Sequence, residues 1–310
     1  MSAPDAGSGE QQKSQRELEM ETGARWNKHH ANPGASPLQS KPDPRSAETG
    51  NTKAGIAAAT SKEPNIAGIK CETREQPGAN AGQAEQSGGH SRETSTDEIA
   101  RFMARVVPWP ENSEAAGFVN LHWTFWEGEE PPKNPPWGGI PTKSVQDFMN
   151  ALDRVRARKG TRDIYFCLSL QAQTRLNSHG NVVAARSKEN ALALKAIWLD
   201  IDVKEPPKGY AILQDATAAL SEFCKSVNLP SPSAVIFSGG GLHVYWISDQ
   251  SLTPTEWRPY AEGLKSAAIK FGLKCDAGCT TDVARVLRVP GTFNYKKYPK
   301  RPVLLEPIDE

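Results

Sequence analysis

The sequence predicts an α+β fold: a ferredoxin-like (RRM-like) β-α-β-β-α-β unit with an N-terminal α/β addition, preceded by a disordered tail. Three observations predict it. Residues 1–94 are crowded with Gly, Ser, Gln, Asn, Glu, Lys and Pro and hold few large apolar side chains, too few to offset the entropy of ordering. Residues 95–310 alternate strand-like and helix-like periodicities and have the size of one globular domain. Within them, residues 196–296 read in order as strand, helix, two short strands across a glycine turn, helix and brief strand.

Each element has its own signal. Ser95 and Glu98 have capping-box spacing, and Ile99, Phe102, Met103 and Val106 then recur on one helical face. A strand-like run follows at Phe118–Trp126, then a Pro/Gly-rich loop at Pro131–Pro141. Val145, Phe148, Leu152 and Val155 mark a second helix, and Ile164–Leu170 a second strand. Ala196–Val203 alternates strictly: Ile197, Leu199, Ile201 and Val203 face one way, Trp198, Asp200 and Asp202 the other. A helix from Ile212 to Val227 carries Leu213, Leu220, Phe223 and Val227 on its apolar side. Ala234–Phe237 and Leu242–Ile247 form a hairpin. The next helix has Thr253 as N-cap, Pro254 at its first position and Glu256 to complete a capping box, with Gly272 to close it. A brief strand around Leu273–Cys275 ends the pattern. In this topology the first strand lies between the third and the fourth, so Asp200, Asp202, His243 and Asp276 are expected on one patch of sheet.

Bulk properties exclude several classes. The net charge of +1 conceals an acidic first hundred residues, with 11 Lys/Arg and 14 Asp/Glu, and a mildly basic remainder. That surplus does not by itself announce a nucleic-acid partner. Five mostly isolated cysteines suggest free thiols in a reducing compartment rather than a disulfide framework. No apolar run approaches the 18 residues of a membrane span and no secretory h-region opens the chain, so a soluble, cytoplasmic protein without a membrane partner is expected.

Chemistry concentrates in three stretches. Asp200 and Asp202, at i and i+2 on a strand, project from one face about two residue rises apart. Carboxylates that close repel unless a cation lies between them, and Mg²⁺, a hard ion, favours carboxylate, water and phosphate oxygens. Ser238-Gly239-Gly240-Gly241-Leu242-His243 is a hairpin tip where main-chain amides can approach a phosphate and His243 can donate to it. Asp276 to Lys296 gathers Asp276, Asp282, Arg285, Arg288, Asn294 and Lys296 in a short span, with Arg288 and Lys296 suited to triphosphate charge.

Other signals are discounted. Gly138–Ser144 lacks the glycine that a phosphate-binding loop needs before its lysine, so no ATPase module is expected. Cys275 and Cys279 have no second Cys/His pair at workable spacing, and no zinc is expected. His122 among aromatics reads as core. Tyr245, Trp246 and Tyr295 are candidates for base stacking, with core packing at least as good a reading for the first two.

Taken together, LDID, SGGGLH and DAGCTTDVARVLRVPGTFNYK resemble, in that order, the motifs of the archaeo-eukaryotic primase superfamily, most of all primases and primase-polymerases of plasmids, phages and mobile elements. The resemblance spans about residues 160–300. It implies a DNA primase or DNA-directed nucleotidyltransferase using two Mg²⁺ or Mn²⁺ ions, with Asp200, Asp202 and Asp276 as ligands and Asp282 competing for the third place. Ser238, Gly240, Gly241 and His243 would contact nucleotide, and Arg288, Asn294 and Lys296 phosphates or sugar. Partners implied are a single-stranded DNA template, NTP or dNTP, and a replicative helicase encoded separately or fused in relatives. Two rivals stand beside this reading: a catalytically inactive nucleic-acid or replisome-binding module of the same fold, and a rolling-circle initiator nuclease. The nuclease wants paired metal-binding histidines, whereas the relevant strand offers only His243.

Overall fold

The computed structural model describes residues 93–296 and 298–306. The expected disordered tail therefore lies, but for Glu93 and Thr94, outside the described residues. Helix α1 (Thr96–Val106) opens the fold with the expected capping box, Ser95 and Glu98 satisfying each other's end of the helix. Strand β1 (Val119–Phe125), β2 (Trp137–Thr142), helix α2 (Val145–Ala157) and β3 (Thr161–Cys167) follow. Then come β4 (Ser169–Gln171), β5 (Thr174–Leu176), β6 (Val182–Ala184) and β7 (Ala191–Asp202). The second half contains α3 (Leu213–Ser226), β8 (Ala234–Phe237), β9 (Gly241–Leu252), α4 (Pro254–Lys270) and the one-turn α5 (Ala277–Thr280). Four short strands finish it: β10 (Val286–Arg288), β11 (Phe293–Asn294), β12 (Arg301–Pro302) and β13 (Leu304–Leu305).

The architecture is α+β with antiparallel sheets. One sheet runs β10-β3-β1-β2 and a second runs β13-β8-β9-β7-β4, while β5-β6 and β11-β12 pair separately. A single core joins the two large sheets. The Phe102 ring on α1 meets Phe166 of the first sheet edge-on at 5.8 Å and Tyr245 of the second at 5.4 Å. Helix α4 lies on β7, where Trp257 stacks on Trp198 at 5.1 Å and donates its indole N–H to the Ala196 carbonyl. Its capping box at Thr253 and Glu256 forms as expected, and Gly272 takes the left-handed φ of +70° that ends the helix.

Several expectations need correction. The segment at Leu273–Cys275 forms no strand. The fourth place beside β7 is shared instead: β4 flanks its first half, and the Asp276 amide, donating to the Asp200 carbonyl at 2.8 Å, flanks its end. The Pro/Gly-rich loop contains β2, and the stretch with a phosphate-loop look is that strand followed by the Ser144 cap of α2. Glycine suits β2 because neighbouring rings lie across it. A Cβ on Gly138 would sit 2.2 Å from the Trp123 indole, and one on Gly139 3.0 Å from the His122 Nδ1. The expected strand at Ile164–Leu170 is two strands, β3 and β4, one in each sheet. Between them the Leu168 amide donates to the Arg285 carbonyl at 3.0 Å. Tyr245 and Trp246 are wholly buried and belong to the core, and His122 is buried in the first sheet, as its aromatic neighbours suggested.

Candidate active site

Antiparallel register does the first work of assembly. Asp200 on β7 pairs directly with His243 on β9, and Asp202 with Gly241, so the expected carboxylates and the imidazole share one face. The hairpin between β8 and β9 lets the strands close: a Cβ on Gly241, whose φ is +155°, would sit 1.9 Å from the Ile201 carbonyl oxygen. Asp276 arrives from elsewhere in the chain as the N-cap of α5. Its Oδ1 accepts from the Gly278 and Cys279 amides at 3.0 and 3.2 Å, while its own N–H is tied to Asp200.

One side chain that the sequence reading left without a role holds this cluster together. Arg285 Nη2 lies 3.1 Å from Asp200 Oδ2 and 3.4 Å from Asp276 Oδ2. Its backbone is fixed where the chain crosses between sheets, by the Leu168 amide described above. Lys204 pairs with the outer carboxylate, Asp202. Burial and then the neighbouring Asp202 carboxylate push the Asp200 pKa up, against the pull of Arg285. His243 is 3% exposed. Burial, then Arg288 and Arg285, hold its pKa well below the usual imidazole range, so the ring is neutral. Its Nε2 is 3.8 Å from Asp200 Oδ1, too far for a hydrogen bond, and its Nδ1 is buried without a partner.

The remaining expected residues surround this group unevenly. Arg288 is buried, its Nε donating to Asp163 Oδ1 at 2.9 Å while its Nη2 finds no acceptor. Asn294 spends its amide on the main chain: Nδ2 donates to the Ser238 carbonyl at 3.0 Å and Oδ1 accepts from the Lys296 amide. It braces the glycine hairpin. Ser238 is buried beneath that contact, and Gly240 accepts from the Val203 amide at 2.8 Å. Lys296 is exposed and near enough to bear on His243. Asp282 accepts from the Ala284 amide, and it is Asp276 that shares Arg285 with Asp200. Arg285 was legible as the first basic residue of the Asp282-x-x-Arg285-x-x-Arg288 spacing. Asp163 and Lys204 gave no signal.

Carboxylate oxygens are the donors a hard divalent ion favours. Two carboxylates from distant parts of the chain converge on the Arg285 guanidinium, and a third stands two residues along the strand from Asp200. Among the described residues no three His, Cys, Asp or Glu side chains are already gathered as a ligand set. The α5 amides and Lys204 each engage an oxygen of Asp276 or Asp202. No helix among those residues is long and apolar enough to cross a membrane.

No family model matches the chain and no curated protein is similar to it. Among solved structures, the primase-polymerase domain of cyanophage S-2L aligns at 15% identity and a TM-score of 0.39, over 62% of this chain and 82% of its own. The primase RepB′ aligns at 12% and 0.38, over 68% and 56%. The polymerase domain of Mycobacterium tuberculosis ligase D, solved with DNA, aligns at 12% and 0.32, over 69% and 81%. The chain is thus similar, at these levels, to two primases and one ligase-associated polymerase domain.

Proposed function

We propose that this chain is a template-directed nucleotidyltransferase of the primase-polymerase kind, extending or initiating strands from NTP or dNTP in DNA replication. The observation that carries the reading is the convergence of Asp200 and Asp276 on Arg285, with Asp202 two residues along the same strand and a buried neutral imidazole paired opposite Asp200. Asp200, Asp202 and Asp276 would hold one or two Mg²⁺ or Mn²⁺ ions. When bound, such ions neutralise phosphate charge and lower the pKa of an attacking hydroxyl.

The chain's own groups divide the rest of the work. A neutral His243 has one N–H to give and a free ring nitrogen, so it can donate to a phosphate oxygen without adding a charge beside Asp200. Arg288, fixed through Nε by Asp163, keeps Nη2 for an anion, and Lys296 adds a point charge at the rim. Gly240 and Gly241 bring main chain to the site with no side chain in the way, and Asn294 holds that hairpin in place. The 3′-hydroxyl oxygen of a growing strand bonds to the α-phosphorus, its proton passes to water, and pyrophosphate leaves with the bonding pair.

Purified protein incubated with single-stranded template, labelled nucleotides and Mn²⁺ is expected to make short products. Asp200→Ala combined with Asp202→Ala is expected to abolish them, and an unchanged yield would end the proposal. Parallel reactions with NTPs and dNTPs, on primed and unprimed template, assign the sugar preference and separate initiation from extension. A wild-type protein that binds template but makes nothing would identify a non-catalytic module of the same fold.

A further inference from the structure

The first sheet presents an aromatic surface that the chemistry above leaves unused. Trp137 on β2 is 46% exposed, yet its indole lies on the Tyr165 ring at 5.2 Å with an interplanar angle of 29°. An exposed tryptophan held flat on a buried tyrosine offers its other π-face to solvent in a fixed plane. Tyr165 is in turn tied to the site: the Arg288 guanidinium sits 5.4 Å from its ring centre, and Arg285 is close enough to act on its hydroxyl. The stacked pair is therefore joined to the site through Arg288.

A second aromatic group lies on the other side of Asp163, whose Oδ1 accepts from both Arg288 Nε and the Tyr295 amide. There the buried Trp126 ring meets Tyr295 edge-on at 6.4 Å, Arg162 lies over both at 5.5 and 5.3 Å from their ring centres, and Lys300 lies 4.1 Å over Phe293. Cations thus cover the rings of this second group. Arg162, Lys296, Lys300 and Arg301 supply positive charge there. Asp163 is engaged by Arg288 and the Tyr295 amide, and Glu127, Glu129 and Glu130 are carried on the exposed loop whose Gly128 carbonyl accepts from Arg162. A fixed, exposed π-face with cations nearby matches the bases and phosphates of a single strand.

We infer that this face binds single-stranded nucleic acid by base stacking, with the exposed Trp137 as the first platform outside the carboxylate cluster. The inference deepens the proposed function by naming where the strand lies, and its biological meaning rests on that reading. Its test does not, because binding is measured in EDTA without nucleotide, where no synthesis occurs.

The wild-type protein, titrated with fluorescent oligo(dT) at fixed salt, is expected to bind about 5- to 150-fold more tightly than Trp137→Ala, the span expected for one stacked base. Trp137→Phe, which keeps a π-face, is expected to recover most of the loss. A single abasic residue placed at each position of the oligonucleotide in turn should weaken wild-type binding at one position by a similar factor and leave Trp137→Ala unaffected there. Equal binding by wild type and Trp137→Ala, or an abasic series flat on the wild-type protein, overturns the inference. So does loss of affinity for mononucleotide alone with oligonucleotide binding unchanged. The abasic series uses only unmodified protein, so a folding defect in a variant cannot imitate a positive result.

Discussion

At the scale of single residues, Arg285 is the group whose removal says most. It lies between Asp200 and Asp276, which without it would face one another uncompensated. Arg285→Gln is expected to lower stability in EDTA by about 1–3 kcal/mol, the cost of leaving charged groups without their partner in a half-buried site. Mn²⁺ should then raise the thermal midpoint of the variant more than that of the wild type, because the ion fills the place the guanidinium held. Equal rises in the two proteins would show that ion and arginine do not share a place. His122 makes a different prediction. Burial, with help from Arg186, lowers its pKa from 6.5 to about 4. The unfolded chain therefore takes up a proton, as pH falls below about 6.5, that the folded chain refuses. His122 thus favours folding fully above that pH and loses its contribution progressively toward pH 4, about 3 kcal/mol in all. Chemical denaturation of His122→Gln should show a flatter profile between pH 7 and pH 4.5 than the wild type. The carboxylates and His243 were legible because strand periodicity and glycine punctuation speak for each position separately. Asp163 was not, since nothing local distinguishes an aspartate whose partner, Arg288, stands far along the chain.

At the scale of elements, β3 and β10 are joined by that buried pair as well as by their ladder. Asp163→Ala would leave the Arg288 charge buried and alone, at a cost of about 3–5 kcal/mol, and should also loosen the Tyr295 segment that Asp163 holds. Thermal melts followed by far-UV circular dichroism check the first, and proteolysis around residues 293–302 the second. Helix ends were readable in the sequence with little error, because the Ser95 and Thr253 capping boxes are local chemistry. Strands fared unevenly. The Ala196–Val203 alternation and the glycine hairpin announced β7, β8 and β9. β2 hid among prolines and glycines because its glycines answer to the Trp123 and His122 rings across the sheet. β10 hid in a polar segment whose alternation is only three residues long.

For the whole molecule, the two large sheets share a core through Phe102 and are connected directly at Leu168. They should therefore unfold together. Phe102→Ala is expected to cost about 3–5 kcal/mol and to shift far-UV circular dichroism and tryptophan fluorescence to the same new midpoint; two separated midpoints would mean the sheets are independent. The α+β class and the placing of Asp200 and Asp202 opposite the glycine hairpin were legible because both depend on the order of periodic segments. The route by which Asp276 comes to Asp200 was not, since an irregular segment took the place of a regular strand. That route has a consequence for how the protein tolerates change. The two aspartates are registered by an amide and a carbonyl, which every residue except proline supplies alike. Alanine scanning would leave this latch closed. An ester in place of the peptide bond preceding Asp276 should open it, leaving Asp276 tied to Asp200 through Arg285 alone while every side chain remains native.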